Sequence, residues 1–317
     1  MSLTQCWTQP HWPEAIDDWL VEQLSQQAIV PTGSAEPVSG WALGHIRKRP
    51  TTMGDVFYKA IAFLLLFSNE ATVCQQLSVN FPEFVPEVLA THAQQQWFAT
   101  RSFGEALPED APQSDWETAF HHFAQLQLAS IERIDTLKHH GCLARPIQQL
   151  PTQLSDALTS SAVQQRLEPS VSLNNQNIIE AVQSAITRLN GLKLPETLVH
   201  GDLHIENIAR QDNNYLFFDW SDACISHPFI DGTYIFRMED TPQKQAIIDS
   251  YLKPWQAWTT ESTLKQAWAL AEIVCYAHQA VSYASMANTL SVEEMASLNT
   301  ACSNAFNRLN NAASCYR

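Results

Sequence analysis

The sequence predicts an α+β fold in which a strand-rich opening gives way to a mostly helical remainder. Three observations predict it. Short runs of β-branched and aromatic residues, bounded by turn formers, recur up to Thr100; apolar residues then recur at three- and four-residue steps from Trp116; and a small hairpin pattern interrupts the helical part at Thr197–Asp222. Composition sets the outer bounds. With 317 residues, 45% of them hydrophobic and 16% charged, the chain has the length of about two domains and is too apolar to be disordered.

The elements follow in order. Ile16, Trp19, Leu20 and Leu24 share one face among Glu and Gln, which predicts a short helix leading into Ala28–Val30. Pro31–Gly40 is turn-rich. Trp41–Arg49 and Asp55–Ile61 read as two strands joined through Pro50–Gly54 as in a hairpin. Phe67–Leu77 reads as a helix capped by Ser68 or Asn69, with Glu70 in the first turn, where the macrodipole favours negative charge. Phe84–Ala90 and Gln96–Thr100 supply two further strands. Trp116–Leu137 predicts a helix; His121 and His122 on it read as packing or surface residues, because no third ligand lies near. Leu143–Leu158 and Asn177–Leu189 predict two more helices around a polar loop, Thr159–Asn175, and residues 262–285 and 292–311 predict the last two.

Charge and cysteine usage exclude several classes. The net charge of 18 − 33 = −15 argues against nucleic-acid and membrane partners; it is compatible with a cationic substrate, although solubility is the plainer account. The longest apolar run, Ala60–Phe67, is too short to span a membrane, and MSLTQCWTQP lacks the basic and apolar regions of a secretory signal. Seven Cys without CxxC spacing argue against a disulfide framework or a zinc ribbon, so a cytoplasmic location is expected. The oligomeric state is left open.

The stretch TLVHGDLHIENIARQDNNYLFFDWSD, Thr197–Asp222, carries the chemistry. Thr197–Val199 and Tyr215–Phe218 read as strands, Asn207–Ala209 as a third, and Gln211–Asn214 as the turn between the last two. The loop holds His200, Gly201, Asp202, His204 and Asn207, and the last strand ends at Asp219. Oxygen-bearing side chains at strand ends suit a hard cation such as Mg²⁺, which fills its other positions with water and phosphate oxygens. This points to a phosphoryl-transfer centre. A metal-dependent hydrolase would use the four-residue spacing of His200 and His204 as half of H-E-x-x-H, but that motif needs a helix, and Gly201 after a strand predicts a loop. A nucleotide-binding scaffold without turnover is the other alternative, although it has no need of Asp202 as a proton acceptor.

Protein kinases carry H-R-D-L-x-x-x-N followed by D-F-G. His200-Gly201-Asp202-Leu203-His204-Ile205-Glu206-Asn207 has the same register with Gly for Arg, and Asp219-Trp220-Ser221 stands at the D-F-G position. The combination H-G-D-L-H-x-x-N and F-D-W resembles the aminoglycoside phosphotransferase family and its small-molecule kinase relatives, in the protein kinase-like superfamily, over roughly residues 38–240. The resemblance implies a two-lobed protein kinase-like fold. Residues 1–101 would form a nucleotide-binding lobe with an antiparallel sheet and one main helix, and 102–317 a helical lobe with the catalytic loop and acceptor pocket. It implies transfer of the γ-phosphate of ATP, with GTP possible, to a hydroxyl of a small molecule, with Mg²⁺ as cofactor. Asp202 would then meet the substrate hydroxyl, Asn207 and Asp219 hold Mg²⁺, Lys59 bind the nucleotide phosphates and Glu70 orient Lys59. His200 and His204 would brace the loop, and Asp231 would buttress it through backbone hydrogen bonds. The backbone of Arg101–Glu105 would meet the adenine. The sequence departs from protein kinases in lacking G-x-G-x-x-G, which leaves Ser34, Ser39 and Gly40 as candidates for a phosphate cradle. Sugars, amino alcohols, homoserine-like amino acids and aminoglycosides all stay open as acceptors.

Overall fold

The computed structural model describes residues 11–212 and 214–316. Helix α1 (Trp12–Ser25) buries Ile16, Leu20 and Leu24 against Val56, Tyr58, Ala60 and Ala99 of the first sheet. Its Asp17 accepts from Arg47 Nη2 at 2.7 Å and from the Tyr58 hydroxyl, which pins the helix to two neighbouring strands. The sheet is antiparallel, in the order β1 (Glu36–Trp41), β2 (Gly44–Thr51), β3 (Gly54–Ile61), β5 (Trp97–Arg101), β4 (Val88–His92).

Three boundaries differ from expectation for physical reasons. The turn-rich segment ends in β1, whose residues are all exposed; an edge strand tolerates Pro37 and Gly40, so its composition looks like that of a loop. The expected strand Trp41–Arg49 consequently straddles a two-residue turn, Ala42–Leu43. Of the expected strand Phe84–Ala90, only Val88 onward is extended; the two prolines Pro82 and Pro86 lie ahead of it, where no ladder donor is needed.

Helix α2 (Glu70–Asn80) starts where its cap predicts, with Asn69 Oδ1 accepting from Thr72 N–H at 3.3 Å. The remainder is mostly helical: α3 (Gln113–Ser130), α4 (Ile134–His139), β6 (Leu143–Ala144), α5 (Leu150–Thr159), α6 (Ser161–Gln164), α7 (Asn175–Gly191), β7 (Thr197–Val199), β8 (Ile208–Gln211), β9 (Asn214–Phe217), β10 (Cys224–Ser226), α8 (Thr233–Arg237), α9 (Pro242–Leu252), α10 (Glu261–Thr289), α11 (Val292–Met295) and α12 (Asn299–Cys315). The expected helix over 116–137 tightens into a 3₁₀ turn at Ile131–Arg133 before α4. The expected helix over 143–158 begins instead as β6, and Pro146 and a 3₁₀ turn delay helix onset to Leu150. The expected loop 159–175 contains α6, capped by Ser160.

Two small sheets carry the site. β10 lies between β6 and β7, and β8 pairs with β9. The main core runs unbroken from Val73, Leu77 and Phe98 on the side of the first sheet to Phe123, Phe217 and Trp220 on the helical side. Among the described residues no helix is long and apolar enough to cross a membrane.

Candidate active site

Strand β7 delivers the chain into the loop at His200. Gly201 has φ +85°, and a Cβ there would stand 2.5 Å from the Asp222 carbonyl oxygen, so this crossing needs glycine. Asp231, in the 3₁₀ turn Pro228–Gly232 before α8, accepts from the backbone N–H of His200 at 3.0 Å and of Gly201 at 2.9 Å, and from Gln127 Nε2 at 3.0 Å. Burial raises its carboxyl and these donors oppose it, but burial prevails and leaves the group raised to about 7.

The two histidines do not converge. His200 is buried; its Nε2 lies 2.9 Å from Phe218 O, and its Nδ1 accepts the Asp202 N–H at 3.4 Å. Those partners fit a neutral ring protonated on Nε2, in line with a pKa lowered by burial. His204 instead packs at a tilt against the Tyr234 ring, centroids 4.9 Å apart, with Nε2 3.8 Å from Asp202 Oδ2. Between them the chain is loop, not helix, and among the described residues no group of three or more His, Cys, Asp and Glu is arranged to hold a metal. That geometry removes the support for a hydrolytic His pair. His121 and His122 lie elsewhere; His121 Nδ1 meets Ser250 O at 3.2 Å, as a packing residue would.

Asn207 is tied to Asp202 and to Phe218, the residue after β9. Asn207 Nδ2 donates to Asp202 O at 3.0 Å, and the Phe218 N–H donates to Asn207 O at 3.1 Å. The Tyr234 hydroxyl donates to Asp202 Oδ1 at 2.9 Å.

Lys59 joins the sheet to this loop. Its Nζ is 2.8 Å from Glu70 Oε2 and 2.7 Å from Asp219 Oδ1. Burial pulls the ammonium down, but Asp219 and Glu70 outweigh it and the net shift is upward, so Lys59 stays charged. Asp219 is pushed up by burial and pulled further down by Lys59, ending below its usual range. Glu70 is wholly buried, which lifts it to about 7 against the pull of Lys59; its Oε1 also accepts the Trp220 N–H at 3.1 Å. Asp219 itself sits at φ 64°, a left-handed conformation uncommon outside glycine.

Two cavities flank the Lys59–Asp219 pair. One, of about 370 Å³, has apolar walls that include Val38, Ile46, Phe98, Phe103 and Phe218, with Lys59, Glu70 and Asp219 on its border. The other, of about 120 Å³, is lined by Lys59, Asp219, Asp202 and Asp222 together with Trp41, Gln279 and Tyr283. Asp202 borders only the smaller one. Burial, then the nearby Asp202, push Asp222 up to about 8.

Ser34, Ser39 and Gly40 border neither cavity; Val38, Trp41 and Leu43 of the same hairpin do. In the connection after β5, Ser102 spends its N–H on Asp55 O at 3.0 Å, and Phe103 packs on Phe218 at 5.2 Å. Tyr234, Asp222, Gln279 and Tyr283 received no role from the sequence. Asp222 could have been suspected from its place in FFDWSD, whereas the others carry no local motif.

A model of the phosphotransferase enzyme family, APH, matches residues 65–264. Among solved structures, choline kinase LicA from Streptococcus pneumoniae superposes with a TM-score of 0.64 at 11% identity, covering 95% of this chain and 100% of its own. Macrolide 2'-phosphotransferase type I gives 0.61 at 15% identity, with 91% and 97% covered. The GDP complex of wild-type aminoglycoside 2'-phosphotransferase-IIIa gives 0.62 at 14%, with 94% and 98% covered. At such identities the likeness establishes the two-lobed kinase-like fold. Among curated proteins none matches by sequence.

Proposed function

The chain belongs to the phosphotransferase enzyme family and is a small-molecule kinase, and from that premise we propose that it moves the γ-phosphate of ATP, or of GTP, to a hydroxyl of its acceptor. The observation that carries this reading is the pair of cavities: Lys59 and Asp219 border both, and Asp202 borders one. On this reading the larger cavity takes the nucleotide base and the smaller one the acceptor. Residues 1–101 then act as the nucleotide lobe and 102–317 as the acceptor lobe, with the backbone of Phe103–Glu105 facing the base.

Phosphoryl transfer asks little covalent chemistry of a protein; it asks for position and for charge. Lys59, held between two carboxylates, offers a fixed positive charge to the nucleotide phosphates, and Glu70 fixes Lys59. Asp202 orients the acceptor hydroxyl and takes its proton on Oδ2, while Tyr234 fixes Oδ1. Asp231 and Gly201 hold the loop that presents Asp202. Asp219 and Asn207 suit Mg²⁺: one carboxylate from a strained backbone position, and one amide whose NH₂ is already engaged with Asp202 O, so that its carbonyl oxygen is the end left for a cation. Bound there, Mg²⁺ would offset phosphate charge. GDP in a structural relative makes GTP worth testing beside ATP.

The test is transfer of labelled γ-phosphate from ATP and from GTP, with Mg²⁺, to sugars, amino alcohols, hydroxy amino acids and aminoglycosides. Phosphorylation of a hydroxyl that requires Mg²⁺ supports the reading. A Mg-nucleotide bound anywhere other than the Lys59–Asp219 cavity would overturn it.

A further inference from the structure

The acceptor side is polarised. Carboxylates crowd the transfer end, where Asp202, Asp219 and Asp222 line the smaller cavity. Away from that end, the face of α10 that carries Tyr283 and Gln279 continues to Tyr276, and two guanidiniums gather along it. Arg237 of α8 lies over the Tyr234 ring with Cζ 4.2 Å from the centroid, and its Nη2 donates to Gln279 Oε1. Both partners lead to the cavity, since Gln279 lines it and Tyr234 holds Asp202. Arg237 Nε is buried and meets no acceptor among the described residues. Arg308 of α12 is partly buried and borders a third cavity together with Tyr276 and Glu272; burial and the like charge of Arg237 lower its pKa.

Neither guanidinium has an acidic partner. Among the described arginines, ion pairs are made by Arg47, Arg101 and Arg210, and none by Arg237 or Arg308. Glu272, on the same face of α10, is engaged by Tyr276 and Lys244. A chain with 33 acidic and 18 basic residues has acids to spare, yet two mutually repelling cations stand here without one. Partly desolvated like charges are costly, and a buried unpaired donor adds to that cost. A bound anion would relieve both.

We propose that the acceptor carries a carboxylate or phosphate group, gripped by Arg237 and Arg308 while its hydroxyl meets Asp202. This rests on the phosphotransfer reading above and refines it against the cationic acceptor with which the net charge is compatible. From Tyr276 to Tyr283 along α10 is about 10 Å, which leaves several bonds between the two groups of the acceptor once side chains reach in from each end.

The experiment uses ω-hydroxy probes of one chain length: 6-hydroxyhexanoate, 6-hydroxyhexyl phosphate, 6-hydroxyhexanamide and 6-aminohexanol. Each is titrated calorimetrically into the full chain, with and without a non-hydrolysable ATP analogue and Mg²⁺. Either anion is expected to bind about tenfold or more tightly than the amide and the amine, as one or two charge-assisted hydrogen bonds allow. That preference should vanish in Arg308→Gln and survive in part in Arg308→Lys, with unfolding midpoints verifying that both variants fold. The carboxylate and phosphate arms tell the two anions apart. Equal affinity for all four probes, or no binding by any, overturns the inference. If the nucleotide analogue binds and the anion preference is absent, only this inference falls; if the analogue does not bind, the phosphotransfer reading falls with it, and the nucleotide-free titration still decides the anion site.

Discussion

Asp202 can be altered with almost no change of shape. In Asp202→Asn the amide oxygen still accepts from Tyr234, as Oδ1 does at 2.9 Å, but the group can no longer take a proton. Transfer is expected to fall about 10²- to 10⁴-fold, the usual worth of a positioned base, with Mg-nucleotide affinity unchanged. Steady-state kinetics beside nucleotide titration checks this, and full transfer by the variant would remove Asp202 from the mechanism. A second residue sets a pH dependence. His227 is buried, its Nδ1 accepts the Phe229 N–H at 3.3 Å, and burial lowers its pKa to about 4. A depressed folded pKa means that the unfolded chain binds the proton more readily, so this stability is present above the unfolded value of about 6.5 and is lost as pH falls toward 4. Between pH 7.5 and pH 5 the loss is about 2 kcal/mol. The buried acids Glu70 and Asp231, both raised to about 7, act in the opposite direction, so the total slope does not isolate His227. His227→Asn, which keeps an acceptor near Phe229, should make the difference in urea-unfolding free energy between the two pH values more favourable to pH 5 by about that amount; an unchanged difference would mean that the ring is not held neutral. At this scale legibility in the sequence depended on register. Lys59, Glu70 and Asp219 could be named from their places in a strand, a first helical turn and a strand end. Tyr234 could not, because its bond to Asp202 spans 32 residues and exists only once α8 is packed.

The loop from His200 to Asn207 has no regular structure beyond a 3₁₀ turn at Ile205–Asn207, so its shape is set largely from outside. Asp231 supplies two acceptors to consecutive backbone N–H groups, and Gly201 makes room for Asp222. Gly201→Ala would place a methyl 2.5 Å from a carbonyl oxygen at φ +85°. That is expected to cost about 1–3 kcal/mol of stability and to lower kcat more than it raises KM, because Asp202 shifts with the loop. Urea melts and kinetics on the same preparation read both, and a variant of native stability and activity would show that the loop relaxes freely. Asp231→Asn tests the other support: one oxygen becomes an NH₂ facing an N–H, at a cost of about 1–3 kcal/mol. The sequence rendered this hairpin region well, since turn formers and β-branched runs are dense there. It rendered β1 badly, because an exposed edge strand needs no apolar alternation, and it missed β6, whose two residues pair only with the distant β10. Extension in those places comes from the partner strand.

Across the whole molecule, the Glu70–Lys59–Asp219 chain links α2 and β3 to the end of the β8–β9 hairpin over a sequence separation of 160 residues between Lys59 and Asp219. The two cavities on either side of that link make separable demands on ligand-induced stability. A ligand that binds only the folded chain adds about 2.7 kcal/mol when present at a hundred times its Kd. Mg-nucleotide should deliver that gain to the wild-type chain, measured as a rise in the free energy of urea unfolding. Asp219→Asn, at the same nucleotide concentration, should lose most of it, as should omission of Mg²⁺, because Asp219 borders the larger cavity and is a proposed Mg²⁺ ligand. Asp202→Asn should keep the whole gain, because Asp202 borders only the smaller cavity. Equal loss in both variants would mean that the nucleotide reaches Asp202 directly and that the division of the cleft into a nucleotide side and an acceptor side is wrong. Loss in Asp219→Asn without dependence on Mg²⁺ would instead leave the carboxylate as a partner of Lys59 alone, and would take the metal out of the Asp219 site.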